Sequence, residues 1–129
     1  MSSPKLKTHF APELHIPKAT FSLDFYTNFG AHEIFCLRND DGSVHVAEFE
    51  LDGATFHVHE TMGSALEPLS SGGVTTVIGL FVDDVEVVLQ NAILAGAVLI
   101  NPTTDHEYGY RQAMFRDPFG HFWQVQKKI

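Results

Sequence analysis

Cysteine, basic residues and long apolar runs are all scarce in this chain of 129 residues. The single Cys36 has no second cysteine with which to form an internal disulfide, which favours a reducing compartment and predicts a cytoplasmic protein. No apolar run approaches the roughly 20 residues that a membrane-spanning helix needs. The first seven residues also lack the apolar segment of a secretory signal. We therefore expect neither a membrane segment nor a signal peptide.

Basic residues are outnumbered by acidic ones, with 8 lysines and arginines against 16 aspartates and glutamates, so the formal net charge is −8. This balance argues against nucleic-acid binding, because a phosphate backbone needs a basic face. It either favours a neutral or cationic partner or only keeps the protein soluble. With 44% apolar and 19% charged residues, the chain has the composition of one globular domain.

The predicted secondary structure repeats along the chain. Alternation of apolar and polar residues predicts strands over residues 8–16, 31–37, 43–51, 54–60, 74–82, 97–100, 110–116 and 121–126. Helical spacing predicts one helix over residues 18–29 and a second from Asp83 or Asp84 to Gly96. The order is βαβββ, a linker and βαβββ again. We therefore predict one domain over residues 1–129, with module one at about 5–60, the linker at 61–73 and module two at about 74–127.

An internal repeat supports this division. Residues 16–34 align with residues 82–100 without a gap at an offset of 66, which matches Gly30 with Gly96 and Ile34 with Ile100. At an offset of 67, His57 matches Gln124 and Val58 matches Val125. The glycines and the change from helix to strand coincide in the two halves. A duplicated βαβββ unit is therefore the main structural prediction.

Five short segments resemble the vicinal-oxygen-chelate superfamily of glyoxalases, bleomycin-resistance proteins and extradiol dioxygenases. They read Leu-Asp-Phe-Tyr at 23–26, Phe-Gly-Ala at 29–31, Leu-Phe-Val-Asp-Asp-Val at 80–85, Ala-Gly-Ala at 95–97 and Asp-Pro-Phe-Gly-His-Phe-Trp at 117–123. Gly109 and Arg111 make the chain most similar to the PhnB-like branch. The resemblance implies an α+β fold in which two tandem βαβββ modules form a cupped, barrel-like mixed sheet with helices outside. It also implies a homodimer with a small-molecule pocket between two modules, within one chain or between chains.

The resemblance also implies where a metal would be bound. Catalytic members of the superfamily hold a divalent metal at four positions, which correspond here to Ala11, His57, Val77 and Gln124. Two of these side chains have no ligand atom, and Gln124 offers only a weak neutral oxygen. A first-row metal needs about three good ligands in such a site. We therefore favour no metal at the usual place.

Polar side chains on the predicted strands mark the pocket that the resemblance implies. The expected ligand-binding residues are Glu13, Glu48, His57, His59, Tyr110, Arg111, Phe122 and Gln124. The histidines are either hydrogen-bonded lining or ligands of a shifted site for Zn, Ni, Mn or Fe formed by His57, His59 and Glu48. Arg111 either orients an anionic or carbonyl-bearing ligand through its planar fork or pairs with a carboxylate such as Glu107.

These features predict a small-molecule-binding protein of the glyoxalase and bleomycin-resistance type without the four-ligand metal site. One alternative is a metal-dependent enzyme with rearranged ligands, either a glyoxalase-like lyase or isomerase or a dioxygenase. Another is sequestration of a cationic drug in an acidic pocket, as bleomycin-resistance relatives do. No catalytic residue is assigned. Trp123, on the face of its strand opposite to Gln124, is expected to pack on a helix, and Cys36 to be a small buried side chain.

Overall fold

The computed structural model of the chain describes residues 6–129, so the start of module one at about residue 5 lies at the border of the described range. The elements are β1 (Glu13–Ile16), α1 (Asp24–Phe29), β2 (His32–Arg38), β3 (Val44–Leu51), β4 (Ala54–Glu60), α2 (Pro68–Ser71), β5 (Ile78–Phe81), α3 (Val85–Ala95), β6 (Val98–His106), β7 (Tyr110–Arg116) and β8 (Phe122–Lys128). Apart from α2, which lies in the linker, the order is the predicted double βαβββ. None of the helices in residues 6–129 has the length and apolar character needed to cross a membrane.

The two modules form two four-stranded mixed sheets with the same topology. The strand orders are β1-β4-β3-β2 and β5-β8-β7-β6, and in each sheet the first pair is parallel while the others are antiparallel. The second strand of each module skips a residue of its ladder at an equivalent place, Ile34 in β2 and Ile100 in β6, and β6 also skips Pro102 and Thr103. These two isoleucines are equivalent at the offset of 66, so the sheets confirm the duplication. The sheets are cupped and do not close into a barrel.

One hydrophobic core joins the two modules around α1. The Tyr26 ring of this helix lies 5.4 Å from the Phe56 ring in β4, and the Phe29 ring lies 5.6 Å from the Trp123 ring in β8. Phe56 and Trp123 also contact each other directly, with ring centroids 5.3 Å apart. Trp123 therefore packs on a helix as predicted, and that helix belongs to the other module. The apolar faces of both sheets bury their side chains in the same core.

The first helix is shorter than its apolar spacing predicts. The helix expected over residues 18–29 begins only at Asp24. Ala19 has a φ of 63°, a left-handed conformation that interrupts a right-handed helix. The carbonyl of Thr20 accepts a hydrogen bond from the backbone N–H of Val44 at 2.8 Å, so it is tied to β3. The residues before Asp24 therefore form a loop against the neighbouring strand.

Strand ends also differ from the predictions at the sheet edges. The strand predicted over residues 8–16 is reduced to Glu13–Ile16, and the one over 74–82 is reduced to Ile78–Phe81. Both are edge strands, so only one side of each is held by a partner. Conversely, β6 runs through residues 101–106, which were predicted as loop. Pro102 is tolerated there because β6 is an edge strand whose outer side needs no N–H donor.

A buried carboxylate organises the turn between β7 and β8. Asp117 Oδ1 accepts the backbone N–H groups of Phe119 at 2.9 Å and His121 at 3.1 Å. Its Oδ2 accepts the Tyr26 hydroxyl at 2.8 Å and the Trp123 indole N–H at 3.0 Å. The side chain is 2% exposed. Asp117 therefore connects the turn to α1 through Tyr26 and to the core through Trp123.

Cys36 is half-buried against the core instead of fully buried as predicted. It lies in β2, the outer strand of its sheet, so one side of the strand is uncovered. Partial burial raises the pKa of its thiol. The charge of Arg38 lowers this pKa and the charge of Glu33 raises it, both to smaller extents. A raised pKa keeps the thiol protonated and unreactive.

Candidate functional site

Two polar surfaces, one on each sheet, contain most of the predicted ligand-binding residues. Face A is the side of the first sheet away from the core. It consists of Glu13, His15, His32, Phe35, Leu37, Val46, Glu48, Glu50, Thr55, His57 and His59. Face B is the corresponding side of the second sheet. It consists of Gly79, Phe81, Asn101, Thr104, His106, Tyr110, Gln112, Met114, Arg116, Phe122, Gln124, Gln126 and Lys128.

Face A brings four of the predicted residues together. Strand pairing places His57 directly between Glu13 on β1 and Glu48 on β3. The next row along the sheet has His59 between His15 and Val46. Side chains directly opposite each other on one face have Cβ atoms about 5 Å apart. The four predicted residues of module one are therefore neighbours on one surface.

A group of imidazoles lies at one end of face A. The His59 ring is 6.4 Å from the His15 ring and 5.3 Å from the His45 ring. His45 Nδ1 lies 2.9 Å from Glu60 Oε1, which also accepts a hydrogen bond from Asn39. These hydrogen bonds hold the pKa of Glu60 below its ordinary value. Sequence reasoning missed His45, because the irregular ladder at the start of β3 shifts the alternation there.

The side chains do not fit the superfamily's usual metal. His57 is an imidazole ligand, but it belongs to the first sheet while the weaker Gln124 belongs to the second. Neither Ala11 nor Val77 has a side-chain donor atom. Among residues 6–129, no three His, Cys, Asp or Glu side chains are grouped so that they could hold a metal ion. His57, His59 and Glu48, the residues considered for a shifted metal site, are therefore not grouped in this way either.

Glutamines form a connected network on face B. Gln126 Oε1 accepts hydrogen bonds from Gln112 Nε2 at 2.9 Å and from Gln124 Nε2 at 3.1 Å. The Tyr108 hydroxyl donates to Gln112 Oε1 at 2.7 Å. Gln112, Met114 and Gln124 line a cavity of about 350 Å³. The amides are thus held in fixed orientations beside an open cavity.

Aromatic rings continue face B beyond the glutamines. The Phe81 ring contacts the Tyr110 ring edge-on at 6.1 Å, and Tyr110 lies 5.8 Å from Tyr108. Tyr108 in turn stacks on His106 at 4.9 Å. Phe122, another predicted residue, is half-buried on the same face opposite Arg116. Predicted Tyr110, Phe122 and Gln124 therefore share this surface.

Arg111, which was predicted to line the pocket, does not lie on face B. It lies between Tyr110 and Gln112 on β7, so its side chain points to the opposite side of the sheet. Its guanidinium donates to both carboxylate oxygens of Asp105, with Nε–Oδ1 at 2.7 Å and Nη2–Oδ2 at 3.1 Å. This pair holds the pKa of Asp105 below its ordinary value. Arg111 therefore pairs with a carboxylate, which is the second of the two roles considered for it. The partner is Asp105 instead of Glu107.

Faces A and B point away from each other within one copy of the chain, and only Thr55 of face A and Gly79 of face B border a common cavity, of about 590 Å³. Each is the side of its sheet that points away from the shared core, and the core sides contact each other through Phe56 and Trp123. Among residues 6–129, no side-chain hydrogen bond or ring contact joins face A to face B. The residues predicted for one pocket are therefore divided between two separate surfaces.

Sequence alternation contained a signal for some of the residues that were missed. Gln124 and Gln126 are two residues apart and so share one face of β8, and Gln112 lies on the same face of the sheet at its pairing position with Gln126. Tyr110, Gln112 and Met114 alternate along β7, so choosing Tyr110 for the pocket implies Gln112. The same alternation along β7 places the Arg111 side chain on the side of the sheet opposite to face B.

Comparisons with known proteins agree with the fold. The family model for the Glyoxalase/Bleomycin resistance protein/Dioxygenase superfamily matches residues 12–125. The uncharacterized protein Mb0911c of Mycobacterium bovis is 30% identical over 125 residues, covering 92% of this chain and 82% of that protein. An X-ray structure of an Arabidopsis thaliana gene product is 27% identical with a TM-score of 0.71, covering 95% of this chain and 100% of that one. A bleomycin-binding protein complexed with bleomycin has a TM-score of 0.66 at 16% identity, covering 95% and 100%, and shows likeness of fold alone.

Proposed function

Because the chain belongs to the glyoxalase/bleomycin resistance protein/dioxygenase superfamily, we propose that it is a small-molecule-binding protein of the PhnB-like branch. It acts in the cytoplasm as a homodimer, without the four-ligand metal site. The observation that carries this proposal is the position of faces A and B on opposite sides of one core. A pocket that contains both faces therefore requires a second copy, whose face B covers face A of the first.

The charges on the two faces support this arrangement. The formally charged side chains of face A are Glu13, Glu48 and Glu50, all acidic, whereas those of face B are Arg116 and Lys128, both basic. Opposite charges across an interface favour the pairing of A with B, and like charges disfavour the pairing of A with A. A two-fold dimer built in this way contains two identical pockets.

A cationic ligand is the candidate that face A supports best. Its three carboxylates are accompanied by no lysine or arginine on the same face. The bleomycin-binding protein that shares the fold supplies a probe, because bleomycin is the compound in that complex. Sequestration of a cationic drug is therefore the second, narrower function that we propose. An attraction of this kind weakens with added salt.

The first prediction concerns which chains form each pocket. We expect a mass in solution of about twice the 14.3 kDa chain, measured by light scattering after size exclusion. Glu48→Arg on face A and Gln124→Arg on face B each place a cation in every pocket of a homodimer. Each variant alone is therefore expected to lose bleomycin binding in calorimetry.

A mixture of the two variants tests the pairing itself. After refolding together at equal concentration, about half of the dimers contain one chain of each kind, by random assortment. Such a dimer has one pocket with both substitutions and one with neither, so about a quarter of the wild-type sites return. If each pocket were formed within one chain, mixing would restore none, and if it were formed from two A faces, Gln124→Arg alone would keep bleomycin binding. The Glu107→Arg variant, on the turn before β7, controls for the change in charge.

The second prediction concerns metal. Purified protein should contain no stoichiometric Zn, Ni, Mn or Fe, and titration with each ion should give no site of micromolar or tighter affinity. Elemental analysis and calorimetry are the measurements. One equivalent of a bound ion, lost in His57→Ala and kept in His32→Ala, would instead support the enzyme with rearranged ligands.

A further inference from the structure

The amide of Gln126 is an oriented donor that the chain itself does not use. The side chain is 9% exposed, and its oxygen accepts from both Gln112 and Gln124. Among residues 6–129, its Nε2 donates to no acceptor, and no buried side-chain nitrogen or oxygen lacks a partner. Nε2 is therefore an unused donor that keeps some exposure to solvent. The two accepted hydrogen bonds fix the direction of its N–H groups.

Gly79 leaves the space into which this amide projects. It lies on β5 directly opposite Gln124, and a Cβ atom at this position would lie 3.1 Å from Gln126 Nε2. Gly79 is not among the glycines with positive φ, so its backbone does not require glycine. A side chain there would instead crowd the amide. The glycine thus keeps the donor open.

An exposed aromatic ring adjoins the donor. Phe81 is the direct strand partner of Gln126, is 58% exposed and is braced edge-on by Tyr110. A ring packed on Phe81 would place a substituent within reach of the amide N–H groups. Neutral amide donors suit a neutral acceptor, and the carboxylates of face A in the proposed dimer would repel an anionic one.

We propose that Gln126 Nε2 binds the carbonyl oxygen of an uncharged aromatic ketone or amide group, with the ring of that group against Phe81. Gln112 and Gln124 are positioning residues that orient the donor, and Gly79 keeps its position accessible. The inference rests on the proposed function, because it assigns a part of the ligand to face B of the same pocket. Other parts of that ligand remain free to contact the acidic face A.

Two probes of equal shape test the assignment. Acetophenone has a carbonyl oxygen where α-methylstyrene has a methylene group. In nitrogen-15 NMR titrations, acetophenone is expected to shift the side-chain amide signals of Gln126, whereas α-methylstyrene shifts only signals near Phe81. We expect acetophenone to bind about fivefold or more tightly, in the range of one hydrogen bond. Equal affinities, unmoved Gln126 signals or no binding of acetophenone would each overturn the proposal.

Matched variants separate the donor from its surroundings. Gln126→Glu keeps an oxygen for Gln112 and Gln124 but replaces the free donor by an acceptor, so acetophenone binding should fall about tenfold while α-methylstyrene binding stays constant. Gly79→Ala should weaken acetophenone severalfold by displacing the amide. Asn91→Asp, on the exposed side of α3, makes the same charge change and should have no effect.

The outcomes are distinguishable from failure of the proposed function. If mixed dimers regain bleomycin binding but Gln126→Glu leaves acetophenone affinity unchanged, the shared pocket stands and this donor site is wrong. If Gln126→Glu acts as expected but mixing restores no binding, the donor site stands on face B of a single copy. In that case the shared pocket is wrong.

Discussion

Replacing Asp117 by alanine is expected to remove about 3–5 kcal/mol from the free energy of unfolding. The substitution deletes the acceptor of four hydrogen bonds from Tyr26, Phe119, His121 and Trp123. The Tyr26 hydroxyl and the Trp123 indole lie in the core, where no water replaces the lost carboxylate. Small domains are stable by only about 5–15 kcal/mol, so this is a large share of the total. Urea unfolding followed by circular dichroism measures the loss.

Two further substitutions locate the cause of this loss. Asp117→Asn can keep the oxygen that accepts the two backbone N–H groups, but it turns an amide NH₂ toward Tyr26 and Trp123. The tyrosine hydroxyl can rotate to accept, whereas the indole N–H is a donor only, so about half of the loss is expected to remain. Asp40→Asn, on an exposed loop, controls for the charge change and should cost less than about 0.5 kcal/mol. Equal stability of Asp117→Asn and Asp40→Asn would contradict the role assigned to this carboxylate.

The fold was predictable wherever the local chemistry of the chain agrees with its tertiary structure. Asp52 and Gly53 have φ angles of 50° and 86°, as a tight hairpin turn requires, and the strands beside them were predicted to within one residue. Asp84 caps α3 by accepting the N–H of Val87 at 3.1 Å. The predicted secondary structure is wrong where tertiary packing overrides the helical spacing of apolar residues. Thr20, for example, is hydrogen-bonded to β3 instead of extending α1. Two edge strands, β1 and β5, also begin later than predicted, whereas the edge strand β6 is longer than predicted.

The side of its strand on which each candidate residue lies was predictable, but the arrangement of the two sheets was not. Alternation alone places Glu48, His57 and Gln124 on the polar sides of their strands. It does not tell how two sheets face each other, because that depends on the packing of Phe29 and Phe56 against Trp123 across the modules. Arg111 was grouped with Tyr110 for the chemistry of its guanidinium, although alternation along β7 places the two side chains on opposite sides of the sheet.

Stability is expected to fall steeply with rising pH once tyrosines in the unfolded chain begin to ionise. Complete burial raises the pKa of Tyr26 well above its ordinary value of 10.0, and the charge of Asp117 and the hydrogen bond to it raise it further. Below pH 10, folded and unfolded chains both keep the phenolic proton. Above pH 10, only the folded chain does, so the unfolded state is favoured by up to about 1.4 kcal/mol for each further pH unit.

Comparing variants isolates the contribution of this one phenol from the other groups that titrate in alkali. Tyr26→Phe removes the titrating group, at a cost near neutral pH of about 1–2 kcal/mol for the hydrogen bond lost to Asp117. Its stability should therefore decline less steeply between pH 10 and 11.5, and the two stability curves should converge. Tyr108→Phe removes a phenol that is 65% exposed and should leave the wild-type slope unchanged. Parallel curves for wild type and Tyr26→Phe, measured by urea unfolding across this range, would show that the buried phenol is not the source of alkaline unfolding.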